Sequence, residues 1–260
     1  SSLLLLDAKS GRLLDRRDNL NGDTRSTIGY DAATNAYYFT AKGGTFYSVQ
    51  VSGGQTLTNL WSVALLNGTG GIPMSTSSPV VYNGRAYVGV SGSSQFGAYS
   101  GHNITVLNLN SRSIAYSVPT QGYPQTSGLL TTAYESESGY VYVYFFDNMT
   151  PGKLRVLRDR PGMTAPDYTT SEKYGTVAYA LFTPTNDQAQ YAICSPIVDE
   201  YGTVYFKNDS AHLMAFGSAT QKIEITTAPD KLGYVAGEKF DPTGMVVTAT
   251  YANGKTRDIT

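Results

Sequence analysis

Tyrosines are the residues in this chain best suited to surface chemistry, because a ring with a hydroxyl can stack on a sugar or fill an apolar pocket and still hydrogen-bond at its tip. The chain has 21 of them in 260 residues. Tyr99, Tyr123 and Tyr168 fall in stretches that read as loops and are the ligand-binding candidates. Tyr140, Tyr142 and Tyr144 alternate with Val141, Val143 and Phe145, which places three rings on one face of a strand. Packing between sheets is the expected role of that face.

Catalytic constellations are sought and not found. The sequence has no G-x-S-x-G elbow, H-E-x-x-H pair, Walker loop or dinucleotide fingerprint after a strand. Glu135 and Glu137 stand two apart, but Ser136, Ser138 and Gly139 around them describe a solvated hairpin turn, not an acid–base pair. Cys194 is the only cysteine, so no intrachain disulfide or cysteine-based zinc site can form. Its setting between Ile193 and Ser195 is that of a small core residue, and neither His102 nor His212 carries a catalytic motif. Asp7, Asp199 and Asp209 sit where a carboxylate satisfies the backbone donors of a turn, with no local calcium-binding run. No catalytic residue, metal or cofactor is therefore assigned.

Charge excludes other partners. The net charge of −1 comes from 19 basic and 20 acidic residues interleaved along the chain, which removes the attraction that nucleic acid or an anionic membrane would need. The one basic cluster, Lys153, Arg155, Arg158 and Arg160, reads as an exposed strand and turn. Leu3 to Leu6 is too short to span a membrane and reads as a buried strand. Sequons begin at Asn67, Asn103, Asn148 and Asn208; in a chain rich in Asn and Thr they read as chance.

The elements that must position these residues are short strands rich in Val, Tyr, Phe and Thr, separated by Gly, Asn, Asp and Ser turns. No window shows sustained helical periodicity, so helices should be rare. One phrase recurs: Ser78-Pro79-Val80-Val81-Tyr82-Asn83-Gly84-Arg85-Ala86-Tyr87-Val88-Gly89 is matched by residues 195–206, with weaker copies opening at Ser26 and Ser127. Each copy is a strand, a tight turn and an alternating strand, and each is followed by a third strand, at 45–51, 104–109, 153–157 and 212–216. Residues 3–6 match these third strands. Copies are spaced roughly 50 to 70 residues apart, longer than a bare four-stranded blade, so insertions are expected at 91–102 and 161–173.

Residues 3–14, Leu-Leu-Leu-Leu-Asp-Ala-Lys-Ser-Gly-Arg-Leu-Leu, resemble the phrase that closes a blade in quinoprotein-like (PQQ-repeat) propellers, and residues 195–206 resemble the phrase that opens one. Residues 222–260 resemble the first half of a bacterial Ig-like domain, with Val246, Thr248 and Thr250 alternating against Val247, Ala249 and Tyr251 before an Asn253-Gly254 turn. The resemblances imply an all-β chain of about four and a half four-stranded antiparallel propeller blades over 1–218, starting mid-blade, and a partial Ig-like β-sandwich over 219–260. The last blade shows no fourth strand before Lys222; a strand from elsewhere in the protein, or residues 221–226, would close it.

Quinone-dependent members of the propeller family use a tryptophan and a vicinal cysteine pair. This chain lacks the pair, and Trp61, its one tryptophan, follows Asn59-Leu60 where a fourth strand carries a structural Trp. The resemblances therefore imply an exported bacterial cell-surface or secreted protein. Its propeller would be a non-catalytic binding or scaffolding platform for a protein or carbohydrate ligand at the loops, completed by further blades of the same protein, and the Ig-like module a spacer. The alternative is a part, itself not binding, of a quinone-dependent oxidoreductase or glycan-active enzyme whose catalytic residues lie outside this stretch.

Overall fold

A computed structural model describes residues 1–92, 99–166, 179–252 and 254–260. It is built almost wholly of antiparallel strands, as the turn-rich, β-branched sequence requires. Strands β1 (Leu3–Leu6) and β2 (Leu13–Arg17) pair alone. The first full blade follows in the order β3 (Gly29–Asp31), β4 (Ala36–Ala41), β5 (Thr45–Ser52), β6 (Thr56–Ala64).

In the second blade, β7 (Pro73–Met74) and β8 (Val80–Tyr82) both pair with β9 (Arg85–Gly92), which continues to β10 (Ser100–Asn108) and β11 (Ser113–Pro119). The third is β12 (Leu129–Thr131), β13 (Val141–Phe146), β14 (Leu154–Asp159), β15 (Tyr179–Phe182), with a single helical turn, α1 (Glu135–Ser138), between its first two strands. Strands β16 (Ile197–Val198), β17 (Val204–Lys207) and β18 (Leu213–Phe216) make a three-stranded sheet. A meander of β19 (Thr220–Thr227), β20 (Val246–Tyr251) and β21 (Thr256–Asp258) ends the chain.

Third strands fall where the repeat places them, and Leu3–Leu6 is indeed the partner of a closing strand. The chain divides into two compact units, residues 1–196 with 206–213, and residues 197–205 with 214–260. Among the described residues β18 has no fourth-strand neighbour, and Thr220–Thr227 pairs with Val246–Tyr251 instead of closing that sheet.

Period-two alternation stacks the blades of the first unit. On β4, Phe39 faces back toward Leu3, Leu5 and Tyr47, while its neighbour Tyr38 faces forward into a cluster with Phe46, Val88 and Leu107. On β9, Val88 belongs to that cluster, and Tyr87 joins Ile104, Val118, Val143 and Phe145 on the opposite face. Each fully buried ring, such as Phe46 or Phe145, contributes about 1.5–3 kcal/mol. Leu3 and Leu5 are half-buried, but Leu4 and Leu6 are about half exposed, because a two-stranded sheet has a packed neighbour on one face only.

A hydroxyl stitches each seam at the start of the repeat. Ser78 Oγ accepts the amide of Thr27 at 2.8 Å, Ser77 Oγ donates to the Thr126 carbonyl at 2.8 Å, and Ser195 Oγ accepts the amide of Ser127 at 3.2 Å. These amides and carbonyls flank the first strands, where no ladder partner reaches them.

Two of the four sequons, at Asn67 and Asn208, are turn chemistry. In three of the four the hydroxyl two residues on donates to the asparagine Oδ1: Thr69 to Asn67 at 2.7 Å, Thr105 to Asn103 at 2.7 Å, and Ser210 to Asn208 at 2.5 Å. Asn67, Asn103 and Asn208 are buried; Asn67 and Asn208 also accept the amide two residues on and form Asx turns, whereas Asn103 and Thr105 lie within β10. At the last of these turns Asn208, not Asp209, caps the backbone, by accepting from the Ser210 amide at 3.1 Å.

Candidate functional site

A β-bulge builds one side of a cleft between the first two full blades. The β5–β6 register slips between Ser48 and Gln50, so that Ser48 opposes Trp61 while Gln50 opposes Thr58. The extra length is taken up at Asn59, whose φ of +49° suits asparagine. The bulge aims the Asn59 amide at Gln50, with Nδ2 donating to Gln50 Oε1 at 2.5 Å, while Gln50 Nε2 donates to the Thr34 carbonyl at 2.8 Å. Trp61 packs on Tyr38 and Phe46, with ring centroids 6.4 and 5.9 Å away.

The other side comes from the β10–β11 turn of the next blade. Asn108 Oδ1 accepts from the amides of Asn110 and Ser111 at 3.0 and 3.2 Å, and Arg112 follows at φ +54°. Its guanidinium lies over the indole, 5.4 Å from the centroid, a cation–π contact across the seam. Together these elements enclose a cleft of about 340 Å³ lined by Tyr38, Gln50, Asn59, Trp61, Asn110 and Arg112 among others. Its volume is at the low end for ligand sites.

The three tyrosine candidates separate. Tyr99 is 49% exposed, and its ring lies 5.8 Å from that of Tyr123. Tyr123 is not a surface loop residue: it is 2% exposed, bridges to Asn148, and its hydroxyl accepts from the Thr76 amide at 2.6 Å. No ring face there is open to a ligand. Tyr168 lies outside the described residues. Residues 91–102, read as an inserted loop, are partly strand, with β9 running to Gly92 and β10 starting at Ser100.

His102 lies beside Tyr123, rings stacked at 6.5 Å, and its Nδ1 shares a 2.9 Å hydrogen bond with Ser91 Oγ. Burial holds its pKa below the ordinary 6.5, against the opposing pull of Asp147. Below about pH 6.5 the unfolded chain therefore takes up this proton before the folded one, and stability falls as the pH drops. Thermal unfolding followed from pH 7 downward should show this decline, and His102→Gln should flatten part of it; an unchanged slope would contradict the assignment.

Most of the ionic residues singled out in the sequence are structural. Arg155 is not on an exposed strand: it is 5% exposed, and its Nε donates to buried Asp147 at 2.6 Å. Arg158 and Arg160 lie over Tyr140 at 4.5 and 4.8 Å, where the aromatic face of β13 meets the basic cluster. Tyr142 and Tyr144 are half-buried, while Val141, Val143 and Phe145 fill the core on the other face. Glu135 opens a helical turn, not a free hairpin, and accepts from the Tyr82 hydroxyl at 2.6 Å. Cys194 is half-buried instead of a core residue, because its neighbours Ile193 and Ile197 are exposed; its thiol donates to the Lys207 carbonyl at 2.6 Å.

Asp159 is the most deeply committed carboxylate. It accepts from Tyr87 at 2.8 Å and Tyr116 at 2.7 Å, and pairs with Arg85 Nε at 3.4 Å. Burial first, and the carboxylate second, push both phenols above their ordinary range. Arg85 Nη2 also donates to the carbonyls of Arg160 and Met163 at 3.0 and 2.5 Å.

No protein-family model and no curated protein matches the chain. Solved structures do. Quinohemoprotein alcohol dehydrogenase from Comamonas testosteroni aligns at a TM-score of 0.55 and 11% identity over 84% of this chain and 38% of its own. A europium-containing methanol dehydrogenase aligns at 0.55 and 12% identity over 82% of this chain and 45% of its own. The chain spans less than half the length of either, and at these identities the likeness is one of fold. Over the matched part, its blades share the β-propeller fold of these two structures.

Proposed function

We propose that this chain is a non-catalytic binding platform: propeller blades that present a ligand cleft at a seam, followed by an Ig-like spacer over 219–260, in an exported bacterial cell-surface protein. The observation that carries the reading is the cleft at Trp61 and Arg112, where the Arg112 guanidinium and the side-chain amides of Asn59 and Asn110 line a β frame beside an aromatic ring. The buried carboxylates Asp147 and Asp159 support a non-catalytic role, since arginine and tyrosine partners occupy both. The test is an array carrying glycans and peptides, probed with the full chain and with Asn59→Ala/Asn110→Ala. The unaltered chain should bind at least one class, and the double variant should lose it while still unfolding cooperatively; equal binding by both proteins would refute the assignment of the cleft.

A further inference from the structure

The chemistry of the cleft specifies more than that it binds. Of the residues lining it, Arg112 alone carries charge, so the lining has a single positive centre; the Asp31 carboxylate stands behind the opposite wall, where it accepts from the Thr34 amide and hydroxyl at 3.2 and 2.6 Å. The guanidinium is exposed and makes no ion pair among the described residues, with the indole beneath it as its partner. Around it, the Trp61 indole N–H, the Asn110 side-chain amide and Asn59 Oδ1 make no hydrogen bond among the described residues. The cleft therefore offers one cation with uncharged donors and acceptors of both kinds.

A phosphate or a longer polyanion calls for more cations or a nest of backbone amides. A hydrophobic anchor would leave these amides unpaired. What matches is a small monoanion that carries hydroxyls: its carboxylate lies against the planar guanidinium fork, and its hydroxyls exchange hydrogen bonds with Asn59, Asn110 and the indole N–H. The volume of about 340 Å³ suits a unit of one or two rings. We propose that the Trp61–Arg112 cleft binds a carboxylate-bearing sugar of an acidic glycan, an inference that rests on the platform reading and narrows its ligand.

Titration calorimetry of the full chain tests this with oligosaccharides ending in glucuronate, galacturonate or sialate, each paired with its methyl ester. At least one acid should bind about tenfold or more tighter than its ester, because the charge-assisted bond is lost on esterification. Arg112→Gln, a change at an exposed turn residue, should abolish that preference, and Arg112→Lys should restore part of it. If esters bind as well as acids, or Arg112→Gln changes nothing, the acidic-sugar assignment is wrong and the platform reading survives, since a glycan is still bound. If no member of either series binds, the assignment is equally overturned, and the platform reading stands or falls on the neutral glycans and peptides of the array.

Discussion

Replacing Asp159 with alanine should cost the fold about 3–5 kcal/mol, the usual loss when one partner of a buried ion pair is removed. The reason is the number of groups that share this carboxylate. Arg85 is 3% exposed and would be left as an uncompensated cation, and the hydroxyls of Tyr87 and Tyr116 would lose their acceptor inside the seam. Asp159→Asn keeps one acceptor oxygen, but the two hydroxyls bond different carboxylate oxygens, so one of them meets an amide donor and the charge is lost as well; its cost should fall between the parent and the alanine variant. Denaturant unfolding followed by the emission of Trp61, the only tryptophan, gives the comparison. A loss below about 1 kcal/mol for the alanine variant would show that the network is not what holds the seam.

Gly89→Ala should be as damaging for a steric reason. A β-carbon on Gly89 would lie 1.5 Å from the Pro124 carbonyl oxygen and 2.5 Å from its carbon, and both are backbone atoms that cannot rotate away. The segment before the third blade must move off β9 to admit one methyl group, with a loss of about 3 kcal/mol or more. Gly71→Ala provides the contrast, since the added carbon would meet nothing closer than 3.7 Å. Melting both variants beside the parent checks the prediction, and equal midpoints would mean that the seam is looser than its geometry.

The blades were legible in the sequence because their signals are local. A strand, an Asn83-Gly84 turn and an alternating strand lie within a dozen residues, and both turn residues take positive φ as their types allow. Third strands followed from spacing alone. Burial was less legible, because it depends on what lies across a seam: Tyr123 reads as a loop residue until its hydroxyl is seen on Thr76, and Arg155 as exposed until Asp147 is seen beside it. The cleft was hidden for the same reason. Its walls come from a bulge in one blade and a turn in the next, some fifty positions apart, and the one local sign was Asn59-Leu60 before Trp61.

The seam hydroxyls have a bearing on how such a chain can change length. Each of them joins the opening of one repeat to the opening of the next, and uses only a serine and a main-chain group that the neighbouring repeat also supplies. Two of them, Ser78 on Thr27 and Ser195 on Ser127, run in the same direction, and the middle one, Ser77 on Thr126, is reversed, so a repeat gained or lost keeps a joint wherever either serine meets a main-chain group of its new neighbour. The cleft lacks this freedom. Trp61 and Arg112 belong to consecutive repeats with different sequences, so an insertion between them would part the ring from its cation while every blade remained sound. Under the platform reading, recognition depends on which two blades are neighbours, while the packing of each blade does not.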